Sequence, residues 1–257
     1  MFNSRGHNTG FPENSKLYFA TVGKKPIPRK YPGPVIYGVS PLSYTRGRVG
    51  RSRAPVLREG GAAMKIDQVY SYTINGLPVE TGDLICTTDG GGTLLAGQFW
   101  RLIGKLVPGD VDHVAVYIGP GDRCIEAGAR GHVVTYDIGG RSWNAEEMTD
   151  QRGLVIDTFY GIAYPLAGRE LTEPRVADIR IGVANYCLAQ AEARKPYNIN
   201  FLNSRTEDAF YCSQLAYLAY LRDGIDLNTG LGVPSLPGTN SIIFPQEIWS
   251  GCTHKRP

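Results

Sequence analysis

The amino-acid sequence predicts an α+β fold in which an antiparallel β-sheet packs against a helix that carries a cysteine. Two observations predict it. Short β-rich runs in the middle of the chain are separated by turns such as Pro108-Gly109-Asp110 and Pro120-Gly121-Asp122, a pattern typical of an antiparallel meander. Further along, apolar residues recur at helical spacing in two segments, and the second segment begins close to Cys212.

The strands are predicted from composition and from the turns that end them. Gly82-Asp83 forms a turn that leads into a strand over 84–86, and a β-rich run over 113–119 ends at the Pro-Gly-Asp turn. Further strands are predicted over 123–127, 133–138 and 154–160. Because consecutive strands of a meander are neighbours, the strands at 113–119 and 123–127 are expected to lie side by side.

Three helices are predicted from apolar periodicity. The first covers 93–106, and the second runs from Pro174 to about residue 194, where Lys195-Pro196 ends it. The third contains Cys212 and ends near 222, with Thr206, Glu207 and Asp208 expected to supply its cap and its first-turn acids.

The chain divides by composition at about residue 63. Residues 1–63 are rich in Pro, Gly and Arg and lack periodicity, so they are predicted to be a poorly ordered N-terminal extension, while 64–257 are predicted to form the folded domain. Much of the basic charge lies in the extension, which is either a weakly structured arm or a tail for an acidic partner. Met64 is also a plausible translation start.

Composition excludes several functional classes. The formal net charge of +3 is too small to indicate nucleic-acid binding, and the sequence contains no apolar run of the roughly 20 residues that a transmembrane helix needs. The N-terminus does not resemble a secretory signal, and the five cysteines are scattered without metal-ligand spacing. We therefore expect reduced thiols and synthesis in the cytoplasm, with export by another route still open.

Cys212 is the candidate nucleophile. It lies in the predicted first turn of its helix, where unpaired N–H groups and the helix dipole favour a thiolate. The alternative is a small cysteine that fills the core. Cys86 also precedes a predicted helix, but a glycine-rich loop separates the two, so Cys86 is the weaker candidate.

A cysteine nucleophile needs an imidazole and an acceptor that orients it. His113 is the best-placed histidine, because His7 and His254 are expected in poorly ordered ends and His132 in an exposed turn. Glu126 lies on the strand after His113 and is costly to bury without a partner. The alternatives are a surface histidine and a glutamate on a solvated face.

Five segments together resemble one enzyme family. They are GDLI (82–85), DHVAVYIG (112–119), CIEAG (124–128), KPYNINF (195–201) and FYCSQL (210–215). They resemble the NlpC/P60 superfamily of papain-like cysteine hydrolases. The histidine strand comes before the cysteine helix, as in the circularly permuted, YiiX/YebB-like branch. The resemblance covers about residues 66–222.

The resemblance implies a permuted papain-like fold and a Cys-His-Glu triad. Cys212 matches the nucleophile, His113 the general base and acid, and Glu126 the orienting residue. Gly82 and Asp83 match a structural turn, and Tyr197 and Tyr211 match aromatic positions beside the cleft. Asp112, next to His113, stands where the family often has a small residue.

The resemblance also implies hydrolysis of an amide or peptide bond without metal or organic cofactor. The first substrate class is the peptide of bacterial cell wall, which would require delivery to a periplasm, for example as a secreted effector. The alternative is a thiol acyl hydrolase or acyltransferase acting on lipid or acylated substrates. A second alternative is a papain-like shell that only binds, although such a shell does not need Cys212, His113 and Glu126.

Overall fold

The computed structural model describes residues 64–88, 108–235 and 237–257. The predicted extension at 1–63 and the predicted helix at 93–106 lie outside these ranges. Within them, the fold is a mixed α+β arrangement of antiparallel sheets and a few helices, which confirms the predicted class. No helix of the described ranges combines the length and the apolar composition that crossing a bilayer requires.

The strands form two antiparallel sheets. The hairpin of β1 (Ser71–Ile74) and β2 (Leu77–Glu80) is separate from a six-stranded sheet with the order β6-β5-β4-β3-β7-β8. The bounds of the six strands are as follows: β3 is Leu84–Thr88, β4 is His113–Tyr117, β5 is Arg123–Ala127, β6 is Val133–Asp137, β7 is Thr158–Tyr164 and β8 is Thr253–Lys255. The predicted meander is confirmed, because β4, β5 and β6 are consecutive antiparallel neighbours.

The prediction for β7 is displaced by four residues. The strand was expected over 154–160, but it begins at Thr158, and Leu154 and Ile156 remain exposed. Gly161 lies inside the strand. A Cβ added at this position would clash with the carbonyl oxygen of Lys255. The glycine therefore permits β8 to pair closely with β7. The hairpin β1–β2 and the strand β8 were not predicted.

Four helices accompany the sheet in the part of the chain that the structure describes. They are α1 (Thr149–Arg152), α2 (Glu173–Glu192), α3 (Cys212–Leu221) and α4 (Pro245–Gly251). The predicted helices α2 and α3 are confirmed, whereas α1 and α4 were not predicted. Helix α3 has nine of its ten residues buried and contacts β4, β5 and α2. It is a core helix, which is why its sequence is apolar on all sides.

The predicted start of α3 is wrong in one respect. Thr206 and Asp208 lie ahead of the helix, where the Thr206 hydroxyl accepts a hydrogen bond from the Asp208 N–H. The N-cap is Tyr211, whose N–H donates to the Gln214 side chain at 3.2 Å, and no acidic residue lies in the first turn. Cys212 is therefore the first helical residue, in agreement with its predicted place in the first turn.

The Gly82-Asp83 turn ties the sheet to the helices, in agreement with its predicted structural role. The Asp83 carboxylate accepts from Arg180 of α2 at 2.8 Å and from the Glu80 N–H at 2.8 Å. The hydroxyl of Tyr220 in α3 donates to the Gly82 carbonyl at 2.7 Å. These bonds fix α2 and α3 against the sheet. Helix α3, which begins at Cys212, contacts β4.

Candidate active site

Three elements bring the predicted triad together. Cys212 is the first residue of α3, His113 is the first residue of β4, and Glu126 lies on β5. The pairing of Tyr117 with Cys124 puts His113 and Glu126 on the same face of the sheet, since side chains alternate along each strand. They are diagonal neighbours there, a separation that long side chains can bridge.

The three side chains are linked in the predicted order. His113 Nε2 lies 2.9 Å from Glu126 Oε2. The Cys212 thiol and the His113 ring are close enough for each to shift the pKa of the other. All three residues are largely buried: His113 is 15% exposed, Cys212 is 8% exposed and Glu126 is 2% exposed.

The electrostatics of the pair favour a thiolate and an imidazolium. Burial raises the pKa of the Cys212 thiol, but the charge and hydrogen bond of His113 and the N–H groups of Val114 and Ser213 outweigh it and hold that pKa below its usual value. Burial lowers the pKa of His113, but Cys212 and Glu126 outweigh it and hold that pKa well above the usual range. Each partner thus stabilises the charged form of the other.

Glu126 is held by a buried arginine that sequence reasoning missed. Arg152, at the end of α1, has no exposed side-chain surface. Its Nε donates to Glu126 Oε1 and Oε2 at 3.1 and 3.0 Å, and its Nη2 donates to Oε2 at 2.9 Å. The guanidinium carbon lies 5.0 Å from the Tyr136 ring centroid and 4.8 Å from that of Trp143. Burial raises the pKa of Glu126, but Arg152 and His113 outweigh it and keep that pKa below its usual value.

A second acid completes the buried network. Asp157 Oδ1 and Oδ2 accept from Arg152 Nη1 and Nη2 at 2.8 and 2.9 Å. The Thr87 hydroxyl donates to Asp157 at 2.7 Å, and the Trp143 indole N–H donates to it at 3.3 Å. The one sequence signal for this network was an acid inside the apolar run at 154–160, since a carboxylate in such a run needs a partner. Nothing in the polar segment around Arg152 indicated that this arginine pairs with the two buried carboxylates.

A cleft of about 270 Å³ opens on Cys212. It brings together the predicted cleft residues Tyr197, Tyr211 and Asp112 with further mainly apolar side chains, among them Phe201, Ile242, Ile243 and Phe244. The two neighbours of Cys212 fix one wall. The Tyr211 hydroxyl accepts from the Ile243 N–H at 3.0 Å, and the Ser213 hydroxyl donates to the Ile243 carbonyl at 2.7 Å.

Aromatic residues line the same cleft as Cys212. Phe201 meets Tyr211 edge to face, with ring centroids 5.3 Å apart. Burial, with the neighbouring Cys212 and Tyr211, raises the pKa of Tyr197 well above its usual range. The Tyr197 hydroxyl therefore stays neutral, so the wall of the cleft that holds Cys212 carries no charge from this residue.

The other cysteines and histidines lie in different settings. Cys86 is fully buried on β3, and burial raises the pKa of its thiol, so it lacks the environment of a nucleophile. Cys124 and Cys187 are fully buried, as expected for core residues. His132 forms an isolated β-bridge with Pro196, which belongs to the loop before α3. The placement of His254 in a poorly ordered end was wrong, because it belongs to β8 and packs against Trp249.

Comparison with known proteins adds no relative. Neither a protein-family model, nor a curated protein, nor a solved structure matches the chain. In the part of the chain that the structure describes, no group of three or more His, Cys, Asp or Glu side chains is arranged to hold a metal ion. The geometry around Cys212 is therefore the basis for the functional proposal, and the resemblance to NlpC/P60 enzymes stays a prediction.

Proposed function

We propose that this protein is a cysteine hydrolase that cleaves amide or peptide bonds through a Cys212–His113–Glu126 triad in a permuted papain-like fold. The observation that carries the proposal is the His113 ring, which lies 2.9 Å from the carboxylate of Glu126 and interacts with the Cys212 thiol strongly enough to lower the pKa of that thiol. This arrangement supplies a nucleophile, a proton carrier and an orienting acid within reach of each other.

The reaction begins with the Cys212 thiolate, which attacks the carbonyl carbon of the substrate. The N–H of Cys212 is at the first position of α3 and has no intrahelical acceptor, so it stabilises the negative charge that develops on the carbonyl oxygen. As the C–N bond breaks, the His113 imidazolium gives its proton to the departing amine. This leaves a thioester between Cys212 and the acyl part of the substrate.

Water completes the cycle. Neutral His113 takes a proton from a water molecule, and the resulting hydroxide attacks the thioester carbonyl. The C–S bond breaks, the acid leaves, and Cys212 returns as a thiolate beside an imidazolium. Glu126 stays ionised throughout, since its role is to orient the ring and stabilise its positive charge.

For the substrate, we propose the peptide of bacterial cell wall first. The resemblance of five sequence segments to NlpC/P60 enzymes supports this class, which contains peptide amide bonds of the kind the triad cleaves. Reaching such a substrate would require delivery to a periplasm.

One observation favours a second candidate, a thiol acyl hydrolase or acyltransferase. The cleft beside Cys212 is lined mainly by apolar and aromatic residues. Near its Phe201 wall, Ile199 and Leu202 are 78% and 60% exposed. An acyl chain would fill such a cleft and cover this apolar rim, whereas a charged stem peptide would leave polar groups unpaired in it.

Direct digestion separates the two candidates. Purified peptidoglycan and phosphatidylcholine vesicles would each be incubated with wild type, Cys212→Ala and the control Cys252→Ser, which changes a cysteine outside the triad. We expect mass spectrometry to find new muropeptides with wild type and Cys252→Ser but not with Cys212→Ala. Free fatty acid instead of muropeptides, with the same dependence on Cys212, would replace the first candidate by the second. Equal products from wild type and Cys212→Ala would refute a cysteine hydrolase.

A further inference from the structure

Arg152 is fully buried and extensively hydrogen-bonded. It makes five hydrogen bonds of 2.8–3.1 Å to two carboxylates while its side chain is completely buried. Burying three charged groups carries a desolvation penalty that the ion pairs offset only when the geometry is excellent, and well-packed apolar residues often stabilise a core as well. Stability alone is therefore a weak reason for this arrangement.

We propose that Arg152 is a positioning residue, which keeps Glu126 ionised and aims its Oε2 atom at His113, and that Asp157 holds Arg152 in place. This inference rests on the proposed function, because it assigns Arg152 a role in preparing the Cys212–His113 pair. Arg152 itself does not contact the sulfur or the reacting atoms. It acts through Glu126.

The sharing of one oxygen supports this role. Glu126 Oε2 lies 2.9 Å from His113 Nε2 and 2.9 Å from Arg152 Nη2. A desolvated carboxylate without a counter-charge takes up a proton. Arg152 supplies the counter-charge, and its planar guanidinium fixes the carboxylate in two directions at once.

The charge balance also fits. The carboxylates of Glu126 and Asp157 carry two negative charges, and Arg152 compensates one of them. The remaining negative charge matches the imidazolium of His113, so the four groups together are neutral when His113 is protonated. Because Thr87 and Trp143 also donate hydrogen bonds to Asp157, this second acid is held ionised away from the cleft.

The surroundings leave Glu126 no other position. A Cβ added at Gly128 would lie 2.8 Å from Glu126 Oε1, so the backbone passes directly against the carboxylate. The rings of Tyr136 and Trp143 flank the guanidinium. Arg152 and Glu126 are therefore locked in one mutual orientation.

The pH dependence of Cys212 alkylation by iodoacetamide tests the role without a known substrate. Peptide mass spectrometry follows Cys212 alone. The variants are Glu126→Gln, Arg152→Lys and the double variant, with Arg180→Lys as the control. Arg180 also forms a buried ion pair, but its partner is Asp83 of the Gly82-Asp83 turn rather than Glu126. Among the residues that the structure describes, the other titratable groups near Cys212 are unchanged in all variants: His113 on β4, Cys86 on β3, and Asp112, Tyr197 and Tyr211 in the cleft.

We expect Glu126→Gln to raise the alkylation midpoint by about one pH unit, because the imidazolium loses its charged partner. Arg152→Lys keeps the positive charge but loses the several hydrogen bonds that the guanidinium donates to Glu126. We therefore expect it to raise the alkylation midpoint as well. The double variant is no worse than Glu126→Gln alone, since Arg152 acts only through Glu126. Arg180→Lys leaves the midpoint unchanged even where it lowers the melting temperature.

Three results would overturn the inference. They are an unchanged midpoint in Arg152→Lys, additive shifts in the double variant, or an equal shift in Arg180→Lys. If Arg152→Lys does not fold, Asp157→Asn provides the same test, because it loosens Arg152 while keeping the shape of the side chain. A wild-type midpoint at or above that of a free thiol would instead refute the assignment of Cys212 as the nucleophile. Failure of the Arg152 inference and failure of the proposed function are therefore distinguishable.

Discussion

Gly128 is the residue on which the position of Glu126 depends most closely. The chain there passes so near the Glu126 carboxylate that an added Cβ would lie 2.8 Å from Oε1, and Arg152 prevents the carboxylate from moving aside. We predict that Gly128→Ala displaces Glu126 and slows both alkylation of Cys212 and turnover by roughly tenfold to a hundredfold.

The matched control for Gly128 is Gly182→Ala in helix α2. An added Cβ there would come no nearer than 3.7 Å to the side chain of Asp223, which is an ordinary contact. Because alanine favours a helix interior, we expect this variant to be slightly more stable and equally reactive. Equal reactivity of Gly128→Ala and wild type would mean that the orientation of Glu126 does not matter.

At the scale of the element, the start of α3 and the segment around Ile243 form one rigid wall. Tyr211→Phe removes the acceptor of the buried Ile243 N–H, and leaving such a group unsatisfied costs about 1–3 kcal/mol. We predict a lower urea midpoint and a raised KM with a smaller change in kcat, because the wall of the cleft loosens while the triad keeps its partners.

The control for this variant is Tyr164→Phe, whose hydroxyl donates to the carbonyl of Pro78 at an exposed position. It should change neither KM nor the urea midpoint appreciably, since water replaces the lost bond. A KM that is the same in Tyr211→Phe and wild type would show that this wall does not contact the substrate.

The elements differ in how well the sequence predicts them, for physical reasons. Strands β4, β5 and β6 are bounded by turns whose glycines and prolines are visible in the sequence, and the apolar run of α3 follows from its burial. The start of β7 was misplaced because Leu154 and Ile156 extend the apolar run although both are exposed, and its end was misplaced because Gly161 resembled a strand end although it makes room for β8. The pairing of Arg152 with Glu126 joins residues 26 positions apart and follows from tertiary packing, which a local pattern does not reveal.

At the scale of the whole molecule, the buried network makes stability depend on pH. The pKa values of Glu126 and Asp157 are lowered in the folded state, where Arg152 outweighs the opposing effect of burial. Their contribution is therefore fully present above the pKa values of the unfolded carboxyls, near 4, and is lost as the pH falls below them. We predict a steep loss of melting temperature in this acidic range.

Asp157→Asn isolates this contribution, because it removes one titrating carboxyl and keeps its shape. The variant should be less stable than wild type at pH 7, and the difference should shrink toward pH 3. A constant difference across this range, measured by thermal unfolding, would mean that the carboxyl of Asp157 does not titrate with folding.

The most direct test of the central claim is the pH at which Cys212 becomes reactive, compared between wild type and His113→Asn. The account predicts that wild-type Cys212 is alkylated with a midpoint below the value of about 8.5 for a free thiol. It also predicts that His113→Asn moves the midpoint above that value, because burial is then opposed only by the N–H groups of Val114 and Ser213. A wild-type midpoint at or above the free-thiol value, unchanged in His113→Asn, would contradict the assignment of Cys212 and His113 as a nucleophilic pair.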